Sequence, residues 1–345
     1  MKKLSKIAAL ALAAALSVSL AAGGGSASPS PSASAPAPSA SQPAESALAA
    51  GEKYVVGICQ LAPHVALDAA TQGFKDAIEE ALPGQVEFQD GNAAGDSPTC
   101  ATIVNGFVSD GVDLIMANAT PALQAAASAT GDIPVLGTSV TEYGVALGID
   151  GFTGTVGTNV SGTSDLAPLD QQAAMIQELF PASDYANVGL LYCSAEPNSQ
   201  YQVDVVQAEL EKLGYTCTQY PFSDTNDMAS VTQNAADNSD VLYVPTDNTV
   251  ANNTGIVDNI CHGKVPVFAG EEGICAGCGV ATLSISYYDL GVATGKMAVK
   301  ILTGEADVSE MPIEYAPNFT KKYNETTCAD LGITPPDGYQ AISAG

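Results

Sequence analysis

The chain has 345 residues and a formal net charge of −27, with 38 acidic side chains against 11 basic ones, every one of them lysine. Phosphate contacts need clustered lysine and arginine, so the absence of arginine argues against a nucleic-acid partner. The apolar share, 46%, is enough for two cores of ordinary domain size.

Lys2, Lys3 and Lys6 precede the apolar run "IAALALAAALSVSLAA", the pattern of a secretory signal, assigned here to residues 1–22. The run is short for a spanning helix. Residues 23–52 are rich in Ser, Ala, Pro and Gly and read as a disordered tether. The expected location is therefore outside the cell, at its surface. Gly23 stands where a lipid anchor would need a cysteine, which leaves ordinary cleavage, for example after Ala21. Eight cysteines follow, and their spacing permits disulfides or buried thiols without defining pairs. "CAGC" at 275–278 supplies two thiols, with Cys261 and His262 the only neighbours that would make a zinc site conceivable.

From Lys53 strands and helices alternate. "YVVGICQ" is a buried strand, and "LDAATQGFKDAIEEAL" carries apolar residues at helical period. "QVEFQD" is a strand. Ser97 and Pro98 open a helix that Gly111 closes. "VDLIMANAT" is a strand, Pro121 opens a helix, and "IPVLGTSV" is a strand. The plan then repeats: strand "NVGLLYCS", helix "SQYQVDVVQAELEKLG", strand "YTCTQYPF", a helix capped at Thr225 or Asn226, strand "SDVLYVPTDN", a helix, and strand "VPVFAGEEG". "SDTND" at 223–227 reads as part of that helix cap rather than as a calcium loop. Gly57 and Gly189, Pro134 and Pro266, and Asp113 and Asp240 occupy matching places in the two runs.

Two β-α-β runs predict an α/β fold of two Rossmann-like lobes with parallel sheets. Ligands of such sheets sit beyond the carboxyl ends of the strands. Those ends are polar here: Gln60, Asn118 with Thr120, Ser139, Ser194, Asp247 with Asn248, and Glu271. Polar residues after strands are also ordinary turn formers, so each has a structural alternative.

The segments "VGICQLAPHVALDAATQGF", "IPVLGTSVTE", "GTSDLAPLDQQ", "VLYVPTDNTVA", "VPVFAGEEG" and "SYYDLGVATGKMAVKILTGE", in this order, resemble the ABC-transporter solute-binding proteins of the type I periplasmic binding-protein fold, among them the binders of tryptophan and other aromatic amino acids of Gram-positive bacteria. The chain departs from that pattern at Gly23, at Val65 and in its extra cysteines. The resemblance implies a three-crossing hinge, near residues 162–165, 282–284 and 311–312. Lobe 1 would hold 53–162 and 284–310, and lobe 2 would hold 163–283 and 311–345. It further implies a monomer that closes on a small molecule and delivers it to a membrane permease. Carried over residue by residue, the ligand contacts would be Gln60, His64, Thr120, Ser139, Thr141, Asp165, Glu196, Asn198, Asp247, Asn248 and Glu271. His64 has a capping role as its alternative.

Without arginine no guanidinium can clamp a ligand carboxylate, which would fall to Thr120, Ser139 and helix N-termini. Asp165, Asp247 and Glu271 are candidate partners for an ammonium, Asp247 first, and the whole suits a zwitterionic amino acid. Tyr143, Tyr192 and Tyr287 are candidates for an aromatic wall of the pocket, with at least two of them expected to be packing residues instead. No catalytic signature such as GxSxG, HExxH or a P-loop occurs, so neither an enzyme nor a cofactor is expected. The alternatives are a soluble sensor for a membrane receptor and a cleft enzyme on the same fold.

Overall fold

Alternating side chains along the strands feed two apolar layers, and that alternation builds each half of the protein. The computed structural model describes residues 53–342. The signal and tether assignments lie outside them, as does the stretch after Ile342.

In the first half, β1 (Tyr54–Gln60), β2 (Val86–Asn92), β3 (Leu114–Asn118), β4 (Val135–Val140) and β5 (Val160–Ser164) lie parallel. They are interleaved with α1 (Val65–Ala81), α2 (Ser97–Asp110), α3 (Thr120–Ala129) and the short α4 (Tyr143–Leu147). Val56, Ile58, Leu114, Met116 and Leu136 face one layer, with Phe74 and Ile78 of α1. Cys59, Ile115, Ala117 and Val135 face the other, with Val104, Phe107 and Leu123 of α2 and α3. Burial of each large apolar side chain contributes about 1.5–3 kcal/mol. At Gly57 a side chain would collide with the Phe107 ring, 2.6 Å from where its Cβ would lie.

The second half repeats the plan. It begins with α5 (Leu169–Leu179), β6 (Asn187–Cys193), α6 (Pro197–Lys212), β7 (Thr216–Phe222), α7 (Thr225–Asn238) and β8 (Val241–Val244). There follow α8 (Asn248–Ala251), α9 (Thr254–Cys261), β9 (Val267–Ala269), α10 (Glu272–Cys278) and β10 (Ala281–Ser284). The internal correspondence extends to hydrogen bonds. Asp113 Oδ2 accepts from the Val55 N–H at 2.7 Å, and Asp240 Oδ2 accepts from the Asn187 N–H at 2.8 Å, so both aspartates tie a strand start to its neighbour.

The chain then returns. α11 (Tyr287–Leu302) packs along α1, and the fit is backbone to backbone: a Cβ on Gly291 would lie 1.9 Å from the Ala70 carbonyl oxygen, and one on Gly73 would lie 2.1 Å from that of Tyr288. β11 (Glu314–Tyr315) joins the first sheet beside β5. β12 (Thr320–Tyr323), α12 (Glu325–Leu331) and β13 (Gln340–Ala341) complete the second, where β12 runs antiparallel to β10. Among the described residues the sheet orders are β11-β5-β4-β3-β1-β2 and β13-β12-β10-β9-β8-β6-β7. The fold is α/β with two mostly parallel sheets. The passages between sheets follow Ser164, Ser284 and Tyr315. The last comes after Met311–Pro312 because that segment is still pinned to the first half: Ser161 Oγ donates to the Met311 carbonyl and the Ile313 N–H donates to Gly154.

Local details differ from the sequence expectation where a neighbouring aspartate is the better acceptor. Asp96, one residue before Ser97, caps α2 through the Thr99 N–H. Asp224 caps α7 and forms a capping box with Asp227, which accounts for the "SDTND" oxygens. All eight cysteines are free thiols, seven of them buried. His262 bridges Asp258 and Asp330 at the surface, 3.0 Å from each.

Candidate functional site

The carboxyl ends of both sheets converge on one small enclosed cavity. Its lining includes His64, Ser139, Thr141, Asp165, Asn198, Asp247, Asn248 and Glu271, together with Leu67, Thr246, Ala251 and Tyr287. His64, Ser139, Thr141 and Tyr287 come from the first half, and Asn198, Asp247, Asn248 and Glu271 from the second. Asp165 lies on the first passage between them. The space left for water centres is ≈ 10 Å³, about one water. A guest of amino-acid size can therefore enter only if the two halves part.

Each carboxylate from the second half is already engaged by backbone. Asp247 accepts from the Cys193 N–H at 2.7 Å and the Val250 N–H at 2.9 Å, capping α8 and tying it to β6. Glu271 caps α10 through the Gly273 and Ile274 N–H groups. With no lysine in the lining, burial is uncompensated, and it pushes the Asp247 and Glu271 carboxyls up to about 7; the nearby Glu196 charge adds to the effect on Asp247.

Other groups have nothing to bind. His64 Nε2, Ser139 Oγ, Asp165 Oδ1 and Asn198 Oδ1 are buried without a hydrogen-bond partner, and all four residues line this cavity. An unpaired buried polar atom costs about 1–3 kcal/mol, so four around one space mark a site awaiting a polar guest. The chain reaches one of these positions at a conformational cost. Ser139 has φ 54, in the left-handed region that side chains disfavour, at a register shift of β4 against β5 between Gly137 and Val140. Asp165 receives the Tyr287 O–H at Oδ2, 3.0 Å away. Burial raises its carboxyl above the usual range, and burial also lowers the His64 imidazole.

Three expected contacts lie outside the lining. Gln60 turns back on its own loop, donating to the Ala62 carbonyl and Asp68 and accepting from Thr71. Thr120 is buried at the start of α3. Glu196 spends both oxygens on the Asn248 and Thr249 N–H groups and side chains, at 2.7–3.0 Å, and so supports Asn248 from behind. Leu67, Thr246 and Ala251 join the lining without having been singled out as contacts, and Thr246, beside Asp247 at the end of β8, was the one within reach of the strand-end rule; of the three candidate wall tyrosines, Tyr287 is in the lining. Tyr143 and Tyr192 are packing residues, their hydroxyls donating to the Thr163 carbonyl and to Gln200 and Gln219. Among the described residues no cluster of three His, Cys, Asp or Glu is placed to hold a metal ion, and no helix is long and apolar enough to cross a membrane.

A cavity closed between two parallel sheets, reached by separating them, defines a solute-binding protein of the type I periplasmic class. Residues 55–343 match the family model for ABC transporter substrate binding proteins, and the chain belongs to that family. It is 34% identical over 284 residues, 81% of each chain, to a tyrosine-binding protein of Clostridioides difficile (strain R20291). It resembles an ABC domain from Streptococcus pneumonia solved in complex with L-Trp, with 32% identity, 84% of this chain and 100% of that chain covered and a TM-score of 0.80. It also resembles the ligand-free, open structure of a substrate binding protein with adhesive properties from Clostridium difficile, with 36% identity, coverage of 85% and 100% and a TM-score of 0.66. The TM-score is higher to the L-Trp complex than to the open, ligand-free structure.

Proposed function

We infer that this chain is the exported solute-binding component of an ABC importer and that it captures a zwitterionic aromatic amino acid, tyrosine or tryptophan, by closing two lobes upon it. The lobes are the bodies built on the two sheets, joined by the three passages described above. The carrying observation is the set of four unpartnered buried polar atoms around one inter-sheet cavity. A zwitterion supplies what they lack. Its ammonium suits Asp165 Oδ1, a free acceptor in a space with three carboxyls and no lysine. Its carboxylate suits Ser139 Oγ and His64 Nε2, since arginine is absent from the chain. Leu67, Ala251 and the Tyr287 ring give its side chain an apolar wall. The names of the tyrosine-binding and L-Trp-bound relatives support an aromatic guest.

The protein works as a monomer, outside the cell, and hands its ligand to a membrane permease. Its role is binding rather than catalysis, a reading supported by the similar proteins, which are named as binders. A thermal-shift screen over amino acids, sugars and nucleosides tests this reading. A true ligand at a hundredfold excess over Kd stabilises by about 2.7 kcal/mol. Tyrosine or tryptophan is expected to give the largest shift, and a shift with a sugar or nucleoside alone would overturn the assignment.

A further inference from the structure

We propose that the protein carries a second small-molecule site, an apolar cavity beside the second passage between the sheets, which takes a neutral aromatic molecule and, when filled, holds the two halves together. The proposal does not depend on the amino-acid reading above.

The cavity measures ≈ 480 Å³, within the range of about 300–1,000 Å³ that small-molecule sites occupy. Val65 and Ala69 of α1 and Tyr287 and Tyr288 of α11 line it from the first half, and Ala276 of α10 and Ile342 line it from the second. Ser284, Ile285 and Ser286, on the passage itself, join them. Large exposed apolar side chains gather here: Val65 and Tyr288 are two of only four among the described residues. Tyr287 and Glu271 line both this space and the enclosed cavity, so they form the partition between the two.

The hydrogen bonds of the wall fix the class of guest. Lys322 Nζ donates to Glu272 Oε2 at 2.6 Å, and Ser284 Oγ donates to the same oxygen at 2.9 Å. The Tyr288 hydroxyl is spent on Asp76 at 2.9 Å, the Tyr287 hydroxyl on Asp165, and the Glu271 carboxylate on the Gly273 and Ile274 N–H groups. Among the described residues, those with a buried, unpartnered side-chain atom include none that lines only this cavity, whereas four of them line the enclosed one. Lys322 is the one cation of the lining, and a charged guest would have to break its pair with Glu272. What the wall offers instead is apolar surface and two tyrosine rings, which suit a flat, uncharged aromatic. That surface comes from both halves. Parting them would return it to water, so an occupant favours the closed arrangement.

Indole is the probe. The chain has no tryptophan, so indole emission reports its binding directly. In protein saturated with L-tyrosine, indole is expected to show saturable, blue-shifted emission. Ala276→Phe fills the cavity and Val65→Asp sets a charge in its wall, and each should weaken indole binding by about tenfold or more. Both positions are exposed, so the fold tolerates the changes. Saturating indole should raise L-tyrosine affinity about fivefold. No saturable emission, or equal indole affinity in wild type and both variants, would overturn the site. Displacement of indole by L-tyrosine would put the probe in the amino-acid cavity and overturn it equally, and an unchanged L-tyrosine affinity would refute the link to closure. Should L-tyrosine not bind at all, the ligand assignment fails, and indole titration of ligand-free wild type and variants still decides the second site.

Discussion

The two faces of the cleft use the same kinds of side chain differently. On the second-half face the carboxylates are structural: Asp247 and Glu271 close helix N-termini, and Glu196 holds Asn248 and Thr249 from behind. On the first-half face and the hinge, His64 Nε2, Ser139 Oγ and Asp165 Oδ1 are left open. Asn198 is the exception on the second-half face, its Nδ2 spent on the Thr246 carbonyl and its Oδ1 unused. On one face the acids already accept backbone hydrogen bonds, and the other holds most of the unmet hydrogen-bonding demand. A carboxylate in a binding cleft therefore need not be a ligand contact, and the accounting of its oxygens separates the two roles.

Substitutions on opposite faces should fail in opposite ways. The largest effect is expected from Asp165→Asn, which removes the free anionic oxygen: calorimetric titration should show a loss of about 2–5 kcal/mol of amino-acid affinity. Its ligand-free melting temperature should hold, since an amide relieves an uncompensated buried acid. Asp247→Ala should instead lower ligand-free stability by about 1–3 kcal/mol, because the Cys193 and Val250 N–H groups lose their acceptor. Denaturant unfolding without ligand reads this directly, and an unchanged midpoint would return Asp247 to the list of ligand partners.

The acid wall also sets a pH dependence. Asp247 and Glu271 lie at about 7 in the folded protein, against about 4 when unfolded. A raised folded value means the folded state holds more protons in that window, so stability is full below about pH 4 and declines as pH rises through about 7. The ligand-free melting temperature should fall from about pH 5 to about pH 8, and the stabilisation by an ammonium-bearing ligand should grow over the same range. A melting temperature that climbs across it would contradict the buried acids. The smallest effect is expected at Ser139→Gly, which weakens ligand binding by about 1 kcal/mol through the lost hydroxyl while relaxing the left-handed backbone. Its melting temperature should rise slightly while its titration weakens.

What was legible in the sequence follows the same division. Apolar runs ending in polar residues placed Asp247 and Glu271 at strand ends, and the doubled plan brought those ends to one gap. Residue type does not say where an oxygen is spent. Asp247 lines the cavity as expected, but its second role as a cap depends on the turn that follows it, and the inward turns of Gln60 and Glu196 likewise depend on their neighbours. The bulge that gives Ser139 its φ is a property of strand pairing. Tyr287 reaches the cavity only because α11 folds back on α1 through Gly73 and Gly291, which no local pattern announces.

The chain contains no tryptophan, so bound L-tryptophan would be the sole indole emitter in a complex. Fluorescence titration of L-tryptophan into wild type and Asp165→Asn tests the central claim most directly. Saturable, shifted emission at one ligand per chain, abolished or strongly weakened by Asp165→Asn, is the predicted result. Emission indistinguishable from free tryptophan in the wild type, or binding of equal strength in both proteins, would contradict it.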